Sequence, residues 1–255
     1  MTKLILLDVF SYSCMNCLRS LEFIKKIDEK YRDFGLDTVL LHPPEWGFEK
    51  LKQNVEFASK RYKINFPIII DKDKKIIIKL KIKFWPAQVL VKDSKVLYSH
   101  IGEGDYKKLE NRIAGILKLK KKKIFDKEPK YTKFPTIYCG SRKKGRIRGL
   151  KSHSKVRFGT IYKKGRWVQK NEFILSEGKN NLLTILTKGK VINFVARSIG
   201  KKQKKIEIRI NDKFVRYLTI NKPQLYNIIN LKNSKIHKLS LSTKSGLAIY
   251  SFSFQ

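Results

Sequence analysis

Leu4-Ile5-Leu6-Leu7-Asp8-Val9-Phe10-Ser11-Tyr12-Ser13-Cys14-Met15-Asn16-Cys17-Leu18-Arg19 decides how this chain is read, because a hydrophobic run leads straight into a C-x-x-C that opens an amphipathic helix. The first N–H groups of a helix are unpaired and lie at the positive end of its dipole, so a cysteine placed there is favoured as thiolate. Cys14 is therefore the expected nucleophile. Cys17 falls one turn further in, close enough to close a disulfide with Cys14 or to resolve a mixed disulfide on it. The helix continues through Leu18, Leu21, Ile24, Ile27, Tyr31 and Phe34, spaced by three or four, and Gly35 is its stop signal.

A C-x-x-C is also half of a zinc site. The only other cysteine, Cys139, has no such partner, and His42, His100, His153 and His237 show none of the paired spacings of zinc modules. A four-ligand site would have to be gathered from scattered parts, so neither a metal nor another cofactor is expected. Asp8 stands six residues before Cys14 in an otherwise apolar strand. It either faces water from an edge strand or points into the core behind the cysteines. In the core, burial raises its pKa and makes it a fit acceptor for the Cys17 proton.

Strand, aspartate, C-x-x-C and helix follow one another as in the thioredoxin superfamily, which the chain resembles. Phe84-Trp85-Pro86-Ala87, before the strand-like Gln88 to Val91, is similar to the loop in which that superfamily keeps a cis-proline facing the cysteines. The residues alone leave an ordinary trans proline equally open. The resemblance implies that Trp85 and Pro86 position an extended substrate strand through the backbone of residue 85. More narrowly, the chain looks like the TlpA-like branch that includes the soluble part of DipZ proteins. This rests on Ser11 to Arg19, Pro44-Glu45-Trp46-Gly47-Phe48-Glu49 with Asn54-Val55, Trp85-Pro86-Ala87, and His100-Ile101-Gly102-Glu103-Gly104-Asp105-Tyr106. These matches cover the first half of the chain. They imply a thiol-disulfide oxidoreductase, of the reductase or electron-relay kind, acting on disulfide-containing proteins, with electrons supplied either by a separate CcdA-like membrane donor or by an unknown reductant in the cytosol.

Periodicity gives the rest of an α/β thioredoxin-like domain over residues 1–118. Asp37 to Leu41 reads as a buried strand, and Phe48, Leu51, Val55, Ala58 and Tyr62 as one helical face. Ile64 to Ile70 is a strand, Ala87 to Val91 and Val96 to Ile101 a hairpin, and Tyr106, Leu109, Ile113 and Ile116 a closing helix with Asp105 as its N-cap. Ile76 to Phe84 (IIIKLKIKF) alternates like a strand, whereas the resemblance calls for a short helix there, and the helix is preferred on that ground only.

Residues 119–130 form a lysine-rich linker. Residues 131–255 then read as eight or nine short strands, with Lys163-Lys164-Gly165, Glu177-Gly178, Lys188-Gly189 and Asn211-Asp212 as turns between them. The expectation is an all-β sandwich, jelly-roll-like. Thr136 to Gly140, Asn193 to Arg197, Pro223 to Ile229 and Gly246 to Phe254 resemble the carboxy-terminal module of DipZ proteins, which is similar to carbohydrate-binding sandwiches. Tyr162 and Trp167 are the aromatics available for a sugar platform, with packing in the core as the alternative. Cys139 reads as a small buried hydrophobe.

There are 58 Lys and Arg against 21 Asp and Glu, a net charge of +37. That excess would attract polyanions. The lysines are spread over both halves, however, and no nucleic-acid-binding signature accompanies them, which argues against nucleic acid. Lys120, Lys121, Lys122 and Lys123 are the best candidates for contact with an anionic membrane surface. No apolar run reaches the roughly 18 residues that span a bilayer, and Leu4 to Leu7 is too short for a signal segment. As it stands, the sequence reads as cytoplasmic. Relatives in the branch carry further sequence ahead of the cysteine-bearing strand, and a hydrophobic segment there would make the protein extracytoplasmic or membrane-attached. The rival to the redox reading is a basic binding protein for zinc, nucleic acid or glycan, with a non-catalytic thioredoxin-like domain.

Overall fold

The short crossover from a strand ending at Val9 to a helix beginning at Met15 carries Cys14, and the first unit is arranged around it. The structure is a computed structural model; it describes residues 3–119, 134–143, 145–151, 155–200 and 202–255. The chain divides into two units, 1–130 and 131–255.

The first unit runs β1 (Leu4–Val9), α1 (Met15–Tyr31), β2 (Leu36–His42), α2 (Lys52–Arg61), β3 (Ile68–Ile70), α3 (Lys75–Lys79), β4 (Ala87–Lys92), β5 (Lys95–Ile101) and α4 (Tyr106–Ile116). Its sheet has the order β3-β2-β1-β4-β5, with β1 in the middle. β1 pairs parallel with β2, and β2 with β3, whereas β4 runs antiparallel to both β1 and β5. This is the α/β arrangement expected from the β-α-β-α pattern followed by a hairpin. Leu4, Leu6 and Asp8 on one face of β1 are buried, whereas on the other face Val9 is buried, Leu7 is half-buried and Ile5 is exposed. On one face Ile24, Ile27 and Tyr31 of α1 and Tyr106, Leu109 and Ile113 of α4 pack on Leu4, Leu6 and Leu90. On the other, Ile77 and Ile82 close over Val9, Leu41, Ala87 and Val89.

The short helix preferred over the alternating pattern from Ile76 is present, and two other local expectations meet the structure differently. The alternating segment from Ile76 is not a strand: Lys75–Lys79 is helical. The carboxylate of Asp71 accepts the N–H groups of Ile76 and Ile77, both at 3.0 Å, and caps this helix from outside it, so that Ile77 is delivered into the core. The expected helical face from Phe48 to Tyr62 is split into a 3-10 turn, Gly47–Lys50, and α2, with extended Leu51 between them. Asp105 stands at the N-cap position of α4 in the left-handed region, φ 56°, and makes no side-chain cap bond to the helix. Its carboxylate instead lies 3.5 Å from His100 Nδ1.

The second unit is built of β6 (Ile137–Tyr138), β7 (Arg146–Gly149), β8 (Thr160–Gln169), β9 (Ile174–Lys188), β10 (Val191–Ser198), β11 (Lys204–Ile210), β12 (Lys213–Ile220), β13 (Gln224–Asn230), β14 (Ile236–Thr243) and β15 (Leu247–Phe254). These join into a single ten-stranded sheet with the path β12-β11-β14-β9-β15-β10-β13, extended by β6 on β15, by β8 on β9 and by β7 on β8. Phe194, Phe252, Ile185, Ile208 and Leu239 lie in its core. Two expected turns are not turns. Lys163-Lys164-Gly165 lies inside β8 and Glu177-Gly178 inside β9, and the register of the two strands shifts between Lys164 and Arg166. Gly165 makes this bulge possible, with φ 88° and a backbone so close that a Cβ would stand 2.3 Å from the Asn180 carbonyl oxygen. The chain reverses instead at Lys170, whose N–H reaches the Phe173 carbonyl at 2.8 Å.

Candidate redox site

Cys14 is the N-cap of α1. Its backbone is extended, φ −89° and ψ 117°, and its Sγ accepts the Cys17 N–H at 3.4 Å. The preceding turn is tied by the Cys14 N–H to the Ser11 carbonyl at 3.1 Å. Cys14 is half-buried and Cys17 fully buried, and both are free thiols. One cysteine at the surface and one beneath it follows from helix geometry, since three residues along α1 carry the side chain from the mouth of the turn to the face packed on β1.

Asp8 is fully buried on the strand beneath α1. Its β4 partner in the antiparallel register is Gln88, whose Nε2 donates to Asp8 Oδ1 at 2.9 Å and lies 3.2 Å from Ser20 Oγ on α1. The second carboxylate oxygen, Oδ2, is buried and has no hydrogen-bond partner among the described residues. Burial pushes the Asp8 pKa up to about 7, and the Gln88 hydrogen bond opposes the shift. The Cys17 thiol is raised well above its ordinary value, chiefly by burial, then by its bond to Cys14 and the charge there; a backbone hydrogen bond with Ser11 opposes this, and the Asp8 charge adds to it. Asp8 and Cys17 thus disfavour each other's charge, as two buried acids in one site must.

Trp85–Pro86 is a cis peptide. Ala87, the next residue, pairs with Val9, which sets Trp85 and Pro86 at the end of the sheet from which the chain enters the cysteine turn. Pro86 is buried and its carbonyl accepts the Gly102 N–H at 2.8 Å; Lys74 Nζ lies 5.4 Å from the centre of the half-buried Trp85 ring. Each of the five residues singled out in the sequence is therefore at one end of one sheet.

Other polar residues surround the site without having been assigned a part. Gln88 carries a signal in hindsight, an amide inside the apolar run Ala87 to Val91. Arg19 forms a two-pronged ion pair with Glu103, 2.6 Å from Nε to Oε1 and 2.7 Å from the guanidinium to Oε2, and reaches Asn16 Oδ1 between the cysteines at 2.7 Å. Both members of the pair were in the stretches that carried the resemblance. Glu49 is fully buried and accepts bonds from Ser11 and Ser13, a contact across some 36 positions of sequence that no local pattern announces.

Among the described residues, no three His, Cys, Asp or Glu side chains gather in a way that could hold a metal ion. In the second unit Tyr162 and Trp167 are buried, 4% and 7% exposed, and their polar ends bond to the Lys155 and Lys164 carbonyls. They pack inward and offer no sugar platform. Cys139 is fully buried, and its thiol is raised by that burial alone. Lys120 to Lys123 lie outside the described residues. No described helix is long and apolar enough to cross a membrane.

Known proteins with related sequences fit this arrangement. The chain is similar to proteins of the thioredoxin superfamily, of the DipZ and TlpA-like kind. Residues 138–254 match the family described as "Thioredoxin like C-terminal domain". "Protein DipZ" of Mycobacterium tuberculosis is 31% identical over 137 residues, 53% of this chain and 20% of that protein. "Thiol-disulfide oxidoreductase ResA" of Bacillus cereus is 28% identical over 115 residues, 45% of this chain and 64% of that one. The solution structure of a putative thioredoxin from Neisseria meningitidis aligns with a TM-score of 0.42 at 23% identity, covering 46% of this chain and 75% of that one. The chain spans about a fifth of the length of the DipZ proteins it matches.

Proposed function

We propose that this chain is a thiol-disulfide oxidoreductase working as a disulfide reductase or electron relay. The observation that carries the proposal is a half-buried Cys14 capping α1 above a fully buried Cys17, with the carboxyl of Asp8 buried behind it. Cys14 attacks a substrate disulfide as thiolate, forming a mixed disulfide and releasing one substrate thiol. Asp8 takes the proton of Cys17, and the Cys17 thiolate attacks Cys14 Sγ. That step closes the Cys14–Cys17 disulfide and frees the second substrate sulfur, so two electrons pass from the dithiol to the substrate. A proton acceptor with a pKa of about 7 is matched to neutral pH. Trp85 and Pro86 position the substrate strand beside Cys14.

Turnover requires a two-electron donor that reduces the pair again, and a CcdA-like membrane protein is the proposed one, which places the reaction on the extracytoplasmic side. The organisation that goes with this proposal is a redox domain over residues 1–118, a linker over 119–130 and a jelly-roll-like sandwich over 131–255 as an accessory module. The family match over most of the last segment, and its largely antiparallel strand pairing, favour this division.

The test is reduction of insulin disulfides by dithiothreitol, with the native chain compared with Cys14→Ala and Cys17→Ala. The expected result is acceleration by the native chain and rates at the dithiothreitol baseline with either variant. Equal rates for all three remove the proposal.

A further inference from the structure

Glu49 has no part in the reaction described above, yet it is fully buried against the turn that leads into Cys14. Four donors converge on its carboxylate. The hydroxyls of Ser11 and Ser13 donate to Oε1 at 2.8 and 2.6 Å, and the backbone N–H groups of Glu45 and Trp46 reach Oε2 at 2.6 and 3.3 Å. Every one of these bonds is accepted by Glu49 and none is donated by it, which is the pattern a carboxylate satisfies and a carboxamide cannot. The two serines are the first and third residues of the turn that the Ser11 carbonyl closes on the Cys14 N–H. Ser11 and Ser13 are buried themselves, so water does not compete for their hydroxyl protons.

Burial raises the Glu49 pKa, and its neighbours pull in both directions: His42 on β2 favours the charge, Glu45 opposes it, and the two serine bonds favour it. His42 is fully buried, its Nδ1 is 2.9 Å from the Phe10 carbonyl, and its ring stacks on Tyr12, between the two serines. His42 and Glu49 thus lie against the one turn that presents the reactive sulfur, with Glu45 bonded to Glu49 behind them.

We propose that Glu49 is a positioning residue for the dithiol: by drawing the Ser11 and Ser13 hydroxyl protons into its carboxylate it fixes the turn and withholds those donors from Cys14, which keeps the pair reducing. The physical basis is that donors aimed at a thiolate stabilise the dithiol over the disulfide and make a site more oxidising, whereas a nearby negative charge with its donors already engaged does the reverse. The inference rests on the oxidoreductase reading and adds a second buried acid to the surroundings of the cysteine pair, separate from Asp8.

Glu49→Gln is the variant that discriminates, because it keeps the size of the side chain while removing the charge and reversing the sense of the serine bonds. The full-length native chain and the variant are equilibrated in glutathione redox buffers at pH 7, and the fraction of Cys14–Cys17 disulfide is read by thiol trapping and mass. The expected result is a shift of about tenfold in the equilibrium constant toward the dithiol, some 30 mV more oxidising, with faster alkylation of Cys14 by iodoacetamide. Ser13→Ala is made in parallel, alone and with Glu49→Gln. The effect of Glu49→Gln is expected to shrink in the Ser13→Ala background. A native chain that forms no Cys14–Cys17 disulfide at any buffer ratio overturns the oxidoreductase reading itself. A native chain that titrates normally, with an unchanged midpoint and alkylation rate in Glu49→Gln, overturns the role of Glu49 alone, and so does a full, additive effect in the double variant. If Glu49→Gln does not fold, Ser13→Ala alone must change the Cys14 alkylation rate severalfold, and an unchanged rate has the same overturning force.

Discussion

A carboxyl held at about 7 by burial, as Asp8 is, makes the folded chain bind a proton that the unfolded chain has already lost above about pH 4. Folding stability therefore declines as pH rises from the unfolded value toward 7, and above 7 the full cost of burying the charge is present. That cost is on the order of 4 kcal/mol. Asp8→Asn keeps an acceptor for the Gln88 amide and removes the charge. It is expected to raise the unfolding free energy by up to that amount at pH 8 and by almost nothing at pH 3.5, as measured by urea denaturation. An equal gain at both values would mean that the charge is not the cause. In the proposed reaction the same substitution takes the proton acceptor from Cys17, so insulin reduction at pH 7 should slow by roughly a hundredfold. Stability and activity moving in opposite directions at one residue is the sign of a group retained for chemistry.

Between elements, the tie to test is Arg19 with Glu103, because it joins the cysteine-bearing helix α1 to the loop between β5 and α4. Their side chains are 14% and 11% exposed and meet at 2.6 Å. A pair this dry is costly to break from one side, since the remaining charge stays buried. Arg19→Met should lower stability by about 3 kcal/mol, and the double variant with Glu103→Met should recover most of the loss. A double variant no more stable than the single one would show that the loss comes from packing and not from a stranded carboxylate. Because Arg19 also holds Asn16 between the two cysteines, the single variant should alter the rate of Cys14 alkylation as well.

For the whole molecule, each of the two units has its own apolar core. The glycine that shapes the bulge between β8 and β9 belongs to the second. Gly165→Ala places a methyl group 2.3 Å from the Asn180 carbonyl in a backbone with φ 88°. It should cost the second unit on the order of 2–3 kcal/mol. Calorimetry is expected to show a lower transition temperature for that unit, with the glutathione midpoint of the Cys14–Cys17 pair unchanged. A shifted midpoint would show that the β-rich unit influences the cysteines.

What the amino-acid order determined alone was local: the strand from Leu4, the helix opened by Cys14, the hairpin from Ala87 to Ile101 and most of the later strands are written as spacings of two or of three and four residues. Each of these depends on near neighbours, so a pattern suffices. The helix at Lys75–Lys79 does not, since its alternating residues obey a cap supplied by Asp71 and a core that wants Ile77. The strands through Gly165 and Gly178 continue where a turn was written, because pairing of β8 with β9 outweighs the local preference of Lys-Gly and Glu-Gly to reverse. The candidate site divides the same way. Cys14, Cys17, Asp8, Trp85 and Pro86 announce themselves in short motifs, whereas Gln88 on Asp8, Glu103 on Arg19 and Glu49 on the serines meet only when the sheet brings residues some 36 to 84 positions apart within hydrogen-bond distance. Folding alone decides such pairings, because a buried charge accepts whatever donors the packed chain puts beside it.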